Sequence, residues 1–354
     1  MADLQGASVD ELRERWSADV VTRHTNSLKK ARRLALVFDL DHTILHSTDL
    51  HARYLPELRN REECFVFQQP SKQTVIRVRP HLRTLLDAIK DRYVCFVYTA
   101  GSTAYAQCIL EHIDPRGEWF GTAPLRRIIS RDHFPDDYEN KRLHRCFPVS
   151  PDLVLVLDDK KECWDIPQSV LQIMQFRYWP EPLLQQKDAQ RLWSMTPRAL
   201  YGTGVRDDVL LSLTPVLTAV HDLVYGQANG LQTAPEALDF LRRQVLHGTK
   251  LRFTGFRNDA AFHGLARALG ARCGDDSGED THVVAVRDDS VVAEARQNDL
   301  NVVFVNWFLE SRYHFRRAPE AIHSQLHPAH DTERRLELAH MSAQCRAPLL
   351  SILL

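Results

Sequence analysis

Two aspartates stand two residues apart directly after an apolar run, in the segment Leu34-Ala-Leu-Val-Phe-Asp39-Leu-Asp41-His-Thr43. A short apolar run that ends in polar residues is typical of a strand buried on both faces, as in a parallel sheet. Functional sites in open α/β sheets lie beyond the carboxyl ends of such strands. Two carboxylates held there can bind a divalent cation while one attacks phosphorus and the other transfers protons. An acidic turn after an ordinary strand is the alternative interpretation.

A second apolar run, residues 93–98, ends in Thr99-Ala-Gly101 and leads into a predicted helix. A hydroxyl followed by small residues at this place suits phosphate binding. The Thr99 side chain and exposed backbone N–H groups can both donate to a phosphoryl oxygen. The simpler alternative is a strand that happens to end in a hydroxyl.

A third apolar run, residues 153–157, ends in Asp158 and Asp159, and Lys141 precedes it. Taken singly, Lys141 could be a surface charge and the aspartate pair a turn. Because the carboxyl ends of parallel strands meet at one edge of a sheet, the three runs together predict one shared site. Their order along the chain therefore favours phosphoryl transfer through an aspartyl-phosphate.

The hydrolysis of a phosphate monoester gives each of these residues a role. A dianionic phosphate repels an attacking carboxylate unless positive charge intervenes, and Mg²⁺, which prefers oxygen ligands, supplies that charge. Lys141 would balance the charge on the other side and Thr99 would orient the phosphoryl group. Asp41 would protonate the leaving serine oxygen and then deprotonate the hydrolytic water. The predicted metal ligands are Asp39, the backbone carbonyl of Asp41, Asp158 and Asp159.

The composition is that of an ordinary globular protein, with 354 residues, 44% hydrophobic and 26% charged. This length predicts two or three domains. A net charge of −1 indicates no general attraction to nucleic acid or membranes. The seven cysteines include no Cys-x-x-Cys pair, which argues against a zinc site and favours a reducing compartment. Without a signal-like N-terminus or a long apolar run, we expect a soluble intracellular protein.

The chain is predicted to fold as α/β, with a small second α/β domain after the catalytic one. The expected parts are an N-terminal helical lead-in (1–30), a catalytic domain (31–180), a helical connecting region (181–240), a small parallel domain (241–322) and a C-terminal tail (323–354). Short strands and helices alternate from residue 251 to residue 311, which indicates a parallel sheet. The basic cluster Lys29-Lys-Ala-Arg-Arg33 is either a nuclear-import address or a solvated lead-in to the first strand.

Four segments resemble the catalytic domain of the RNA polymerase II C-terminal-domain (CTD) phosphatases, in the haloacid-dehalogenase superfamily. His42 and the aromatic-Thr-x-Gly run are similar to the branch that associates with the transcription factor TFIIF. The similarity covers about residues 33–170. The segments are Asp39-Leu-Asp-His-Thr43, Arg77-Val-Arg-Pro80, Tyr98-Thr-Ala-Gly-Ser-Thr-Ala-Tyr-Ala106 and Leu157-Asp-Asp-Lys-Lys-Glu-Cys-Trp164.

The resemblance implies a central parallel sheet, a nucleophile at Asp39, an acid/base at Asp41, a charge-balancing lysine at Lys141 and Mg²⁺ beside the aspartate pair. It also implies that Arg79 and Asp132 lie near the active site. The predicted substrate-binding residues are Thr43, Arg79, Gly101 and Asp132. Two departures limit the comparison. The interval from Thr99 to Lys141 is short for a branch that carries a helical insert there, and no long acidic tail is present, so neither family-like substrate docking nor contact with TFIIF is predicted.

The small second domain resembles a BRCT domain, through Leu269-Gly-Ala-Arg272, Thr281-His-Val-Val284 and Val305-Asn-Trp-Phe-Leu-Glu-Ser311. BRCT domains that bind phosphopeptides use a Ser/Thr-Gly pair and a lysine. Thr254 and Gly255 match the pair, but Arg296 and Gln297 stand where the lysine would be. Phosphopeptide binding and a purely structural or docking role both stay open, and Trp307 is expected in the core.

The function predicted from these features is a Mg²⁺-dependent serine phosphatase in the nucleus. Its expected partners are the phosphorylated C-terminal domain of RNA polymerase II and other proteins of the transcription machinery. No direct contact with nucleic acid or membrane is expected. Two alternatives stay open, a phosphatase of another nuclear phosphoprotein and a non-catalytic scaffold that acts through the BRCT-like domain.

Overall fold

The computed structural model describes residues 17–49, 64–69, 73–134, 138–143, 147–178, 207–226, 231–256, 260–274 and 279–324. The helices within these ranges are α1 (Ala18–Lys30), α2 (Leu82–Ile89), α3 (Thr103–Ile113), α4 (Val209–Tyr225), α5 (Ala234–Gln244), α6 (Ala260–Ala268), α7 (Ser290–Gln297) and α8 (Val305–Tyr313). None of these helices has the length and apolar character needed to cross a membrane.

The strands of the described residues are β1 (Leu34–Phe38), β2 (Leu45–Asp49), β3 (Cys64–Gln68), β4 (Gln73–Val78), β5 (Tyr93–Tyr98), β6 (Ile128–Ile129), β7 (Val154–Asp158), β8 (Val170–Gln172), β9 (Lys250–Thr254), β10 (Arg272–Cys273), β11 (His282–Ala285) and β12 (Asn301–Phe304). They divide between two compact units. The first unit holds residues 1–195 and 207–238, and the second holds 196–206 and 239–354. The domain boundaries expected from the sequence stay predictions.

The first unit is built on a parallel sheet with the strand order β6-β5-β1-β7-β8. Its central strand, β1, is fully buried along its whole length, as its apolar run predicted. Phe38 lies opposite Val97 of β5 and Leu157 of β7. The three runs therefore end at one edge of the sheet, and the predicted central parallel sheet is confirmed.

A small antiparallel sheet, in the order β2-β4-β3, lies between β1 and α2 in the sequence. Strands β3 and β4 form a hairpin, with pairing from Gln68 opposite Gln73 to Cys64 opposite Arg77. Strand β2 was not predicted from the sequence. It follows the turn after β1 directly and pairs with β4, which ties that turn to the hairpin.

Helix α4 belongs to the first unit. Its apolar residues Leu210, Leu213, Leu217 and Val220 are buried. The hydroxyl of Tyr93, at the start of β5, donates to Leu217 O at 2.7 Å. The helix therefore completes the core around the parallel sheet, although the sequence placed it in a connecting region.

The second unit has its own parallel sheet, in the order β10-β9-β11-β12, with α6, α7 and α8 between or after the strands. This arrangement confirms the predicted small parallel α/β fold. Trp307 is fully buried, as expected, and its ring N–H donates to Ala318 O at 2.7 Å. Residues beyond 324, including most of the predicted tail, lie outside the described residues.

The basic cluster before β1 is part of the folded unit. Lys29 and Lys30 form the last turn of α1. The Arg33 guanidinium donates to Lys90 O at 2.6 Å, and the Arg32 guanidinium lies over the Tyr225 ring at 5.4 Å. These contacts favour the interpretation of the cluster as a lead-in to the first strand over that of an import address.

Candidate active site

Lys141 and two aspartates form the centre of the site. The ammonium Nζ of Lys141 lies 2.6 Å from Asp39 Oδ1 and 2.6 Å from Asp158 Oδ2. Asp39 follows the last residue of β1 and Asp158 ends β7, so neighbouring strands present the two carboxylates. All three side chains are at least nine-tenths buried. The structure thus brings the predicted nucleophile, lysine and one of the predicted metal ligands into direct contact.

Thr43 connects the nucleophile to the second aspartate of the pair. Its hydroxyl lies 3.1 Å from Asp39 Oδ2 and 3.2 Å from Asp159 Oδ1, and it also accepts from the Asp159 N–H at 3.1 Å. Carboxylate oxygens of Asp39, Asp158 and Asp159 lie within 4.8 Å of one another. Thr43, which the sequence assigned to substrate binding, therefore orders the carboxylates.

The charges in this cluster do not balance, because the single ammonium of Lys141 faces three buried carboxylates. Burial raises the pKa of Asp39, the Lys141 charge opposes that rise, and the charges of Asp158 and Asp159 add to it. Burial and the charge of Asp158 raise the pKa of Asp159. Burial alone would lower the pKa of Lys141, but Asp158 and Asp39 outweigh it and raise the pKa. The surplus negative charge and the oxygen donors suit a hard divalent cation.

Three residues without a role assigned from the sequence hold the aspartate pair in place. The Trp164 ring N–H donates to Asp158 Oδ2 at 2.8 Å, and the Lys141 ammonium lies 5.1 Å from the centre of that ring. Gln175 donates to Asp159 Oδ2 at 2.7 Å, and Gln172 donates to Asp159 O at 2.9 Å. For the two glutamines the sequence offered one signal, since Gln172 ends β8, the neighbour of β7, and Gln175 follows it.

Asp41 lies in the tight turn after β1, where Leu40 O accepts from the N–H groups of Thr43, Ile44 and Leu45. His42 takes a left-handed conformation, with φ +62°, to make this turn. The Asp41 carboxylate is half-buried and accepts from Ser47 Oγ at 2.6 Å and from the Tyr105 hydroxyl at 2.8 Å. It is thus held apart from the Lys141 cluster by contacts of its own.

Thr99 and Gly101 form the loop between β5 and α3, as predicted. Backbone N–H groups of this loop were predicted to donate to a phosphoryl oxygen. The Gly101 N–H donates instead to Thr99 Oγ1 at 2.9 Å. This bond uses the threonine oxygen as acceptor, so the hydroxyl hydrogen can still be donated to a ligand. Ser102 follows as the N-cap of α3.

Arg79 is fully buried behind the turn that carries Thr43. Its Nη1 donates to Thr43 O at 3.0 Å and to Met174 O at 2.9 Å, and its Nε lies 3.0 Å from the Asp207 carboxylate. Asp207 lies just before α4 and was not recognised in the sequence. Arg79 therefore supports the site by binding the backbone of the turn. Its charge is paired with that of Asp207, which is distant in the sequence.

Asp132 lies apart from the carboxylate cluster. Its side chain is exposed and accepts from the Thr103 N–H at 2.7 Å, at the first residue of α3. A carboxylate at this place satisfies an N–H group that the helix itself leaves free. Asp132 thus fixes the start of the helix that follows the Thr99 loop.

In the second unit, Thr254 ends β9 and Gly255 follows it with φ +80°. The Thr254 hydroxyl donates to Asp289 Oδ2 at 2.8 Å. Asp289 is the N-cap of α7, and its other oxygen accepts from the Val292 N–H at 3.0 Å. The hydroxyl that would donate to a phosphate therefore already donates to a carboxylate.

Residues 34–223 match the family described as NLI interacting factor-like phosphatases. This match covers more than half of the chain and contains every residue of the carboxylate cluster. The chain belongs to this family. The family match runs through Asp207 and most of α4, in agreement with the place of that helix in the first unit.

Curated relatives bear the name predicted by the resemblance. A Caenorhabditis elegans protein, named as a C-terminal domain phosphatase of RNA polymerase II, is 28% identical over 80% of this chain and 44% of its own length. An Arabidopsis thaliana protein named RNA polymerase II C-terminal domain phosphatase-like 4 is 26% identical over 86% of this chain and 74% of its own. The chain thus spans less than half the length of the first of these relatives.

A solved structure agrees with these relatives. The structure of Fcp1, described as an essential RNA polymerase II CTD phosphatase, superposes with a TM-score of 0.64 at 25% identity. The superposition covers 86% of this chain and 99% of that chain. The predicted resemblance to the CTD phosphatases and the predicted α/β class are both confirmed.

Proposed function

We propose that this protein is a Mg²⁺-dependent protein serine phosphatase that acts on the phosphorylated C-terminal repeats of RNA polymerase II. The observation that carries the proposal is the contact of one buried lysine with two buried carboxylates at the edge of the parallel sheet. The family match supports phosphatase chemistry. The choice of substrate is supported by the names of the relatives alone.

In the first step, an oxygen of the Asp39 carboxylate would form a bond to phosphorus while the bond from phosphorus to the serine oxygen breaks. Asp41 would give its proton to that serine oxygen. Lys141 would hold its charge beside the phosphoryl group, and the Thr99 hydroxyl would orient it. In the second step, Asp41 would take a proton from water as the water oxygen attacks phosphorus, which frees phosphate and restores Asp39.

The residues present fit a magnesium ion. Carboxylate oxygens are its preferred protein ligands, and three carboxylates facing one ammonium leave negative charge to neutralise. Asp39, Asp158 and Asp159 would hold the ion, together with the backbone carbonyl of Asp41. When bound, Mg²⁺ would reduce the repulsion between the nucleophile and the phosphate dianion.

We further propose that the second unit is a BRCT domain with a docking role, in a protein that works in the nucleus. The order of its parallel strands and helices, together with the sequence motifs, supports this assignment. The bond between Thr254 and Asp289 favours docking over the capture of phosphate. The nuclear location follows from the substrate proposed for the catalytic unit.

The decisive experiment measures phosphate release from a phosphorylated heptad peptide by the full chain. Asp39→Asn should lower turnover by at least about a thousandfold, because an amide cannot act as the nucleophile. Asp87→Asn, which changes a carboxylate 55% exposed on α2, is the matched control and should not change turnover. Activity that survives in Asp39→Asn would overturn the mechanism.

Two further comparisons separate the alternatives. Equal rates on heptad and unrelated phosphoserine peptides would indicate another phosphoprotein substrate. Release of phosphate from an aryl phosphate that stops with EDTA and resumes with Mg²⁺ would exclude a non-catalytic scaffold.

A further inference from the structure

The Asp41 carboxylate has two oxygens with different surroundings. Oδ1 accepts two hydrogen bonds, from Ser47 Oγ at 2.6 Å and from the Tyr105 hydroxyl at 2.8 Å. Within the described part of the chain, no donor contacts Oδ2. A carboxylate held by two donors on one oxygen has a fixed orientation, and its other oxygen is left for chemistry.

The two donors come from different elements. Ser47 lies in β2, whose pairing with β4 fixes its place in the antiparallel sheet. Tyr105 lies in the first turn of α3, directly after the Thr99 loop. Its ring is almost completely buried and packs edge-on against Phe67 of β3, with ring centres 5.5 Å apart. Asp41 is thus held between the hairpin and the helix that borders the phosphate loop.

Gly101 explains how the Tyr105 ring reaches this place. A Cβ atom at Gly101 would lie 2.6 Å from Tyr105 Cδ1, closer than two carbon atoms can approach. The ring therefore occupies space that only glycine leaves open. The loop between β5 and α3 thus contributes to the orientation of Asp41 as well as to phosphate binding.

Both hydroxyls are placed to act as donors to Asp41. Each lies within hydrogen-bond distance of Oδ1, and an ionised carboxylate oxygen can only accept.

We propose that Ser47 and Tyr105 are positioning residues that turn Asp41 Oδ2 toward the leaving oxygen of the substrate. The proposal rests on the function proposed above. In the first step, the proton on Oδ2 moves to the serine oxygen as the bond between that oxygen and phosphorus breaks. The electron pair of the broken bond stays on the serine oxygen, and Oδ1 keeps its two hydrogen bonds throughout.

The experiment compares substrates whose leaving groups differ in their need for a proton. A serine alkoxide leaves only when protonated, whereas a nitrophenolate leaves without a proton. The full chain with Tyr105→Phe should lose at least about tenfold in kcat/KM on a phosphoserine peptide and less than about threefold on p-nitrophenyl phosphate. Ser47→Ala should show the same difference, and Asp41→Asn should show it most strongly.

Tyr93→Phe is the matched control, because it also removes a buried tyrosine hydroxyl but at the opposite end of β5. It should not distinguish the two substrates. Equal losses on both substrates in Tyr105→Phe and Ser47→Ala, with an active wild type, would overturn the positioning role alone. A wild type inactive on both substrates would overturn the proposed function and the positioning role with it.

Discussion

Each unit sets a threonine hydroxyl against an aspartate beyond the end of a parallel sheet, but the two surroundings differ. In the first unit, Thr43 lies between Asp39 and Asp159, two of three clustered buried carboxylates, and the Lys141 ammonium contacts Asp39 and Asp158. In the second unit, Asp289 is partly exposed, and its oxygens accept from Thr254 and the Val292 N–H. Although slight burial opposes it, these hydrogen bonds lower the pKa of Asp289. Both places have a hydroxyl at a strand end. The unbalanced buried charge is what distinguishes the candidate active site from its counterpart in the second unit.

The largest expected effect comes from removing the Lys141 ammonium of the first site. Lys141→Met should reduce phosphatase turnover at least about a hundredfold, because the phosphoryl group loses its partner. The metal-free protein should also lose about 3 kcal/mol in its free energy of unfolding, since three buried carboxylates lose their countercharge. Urea unfolding with and without Mg²⁺ measures this loss, which the ion should reduce. Lys90→Met, which changes a half-exposed ammonium on the same unit, is the control.

A buried ion pair in the first unit and an exposed ion pair in the second allow the two units to be compared in their free energy of unfolding. Asp207→Ala leaves the fully buried Arg79 charge without its partner and should cost about 3 kcal/mol in urea unfolding of the first unit. Asp288→Ala in the second unit breaks a pair in which both side chains are about half exposed, so its cost should stay within about 0.5 kcal/mol. Equal costs would contradict the contrast between the two units.

The phosphate-binding capacity of the second unit offers a finer test. Inorganic phosphate added to the full chain should leave the amide NMR resonances of Thr254 and Gly255 unchanged, because the Asp289 carboxylate repels it. Asp289→Asn keeps an oxygen for the Thr254 and Val292 bonds but removes the charge, and weak binding should then appear. Shifts of these resonances in the wild type at millimolar phosphate would show that the Thr254–Gly255 segment does bind phosphate.

A pH dependence of stability is expected from His46 in the first unit. Burial, then the neighbouring His42 and Arg177 charges, lower the pKa of His46 to about 3 from an ordinary 6.5. Between these values the unfolded chain binds a proton that the folded chain excludes. Stability should therefore fall as pH drops through this window, by at most about 1.4 kcal/mol per pH unit, and be unaffected above it.

His46→Asn should remove this dependence while keeping an acceptor for the Tyr178 N–H, which lies 2.7 Å from His46 Nδ1. Urea unfolding of the wild type and variant at about pH 7 and about pH 5 measures the difference. Parallel slopes for the two proteins would contradict the assignment. His282 in the second unit should give a smaller slope, because the Glu320 carboxylate partly offsets the effects of burial and Arg317 on its pKa.

The sequence was informative where apolar runs ended in polar residues. Runs of this kind predicted β1, β5 and β7, and the acids and threonine at their ends proved to share one edge. It failed for β2, whose residues Leu45-His-Ser-Thr-Asp49 are mostly polar and become a strand by pairing with β4. It also missed Asp207, because its partner Arg79 is 128 residues away and no local pattern records that pairing. Contacts made by distant residues are decided by packing.

Roles were harder to predict than positions. Gly101 was assigned to substrate binding because it stands in one of the motifs that resemble the family, and Asp132 because it matches a family position near the active site. The carboxylate of Asp132 caps α3, and the N–H of Gly101 bonds Thr99. Both residues shape the loop between β5 and α3, through hydrogen bonds that no local sequence pattern records.

Asp39, the proposed nucleophile, directly follows a strand that is paired along both sides, and this has a consequence for motion. Every residue of β1 is paired with β5, and the Asp39 N–H donates to Leu157 O at 3.0 Å. These amides should be released to solvent only when the whole unit opens, so their hydrogens should exchange among the slowest in the chain. Asp41, carried by a turn, should exchange sooner. The proposed nucleophile is therefore fixed by the backbone of a central strand, whereas the orientation of Asp41 depends on the side chains of Ser47 and Tyr105.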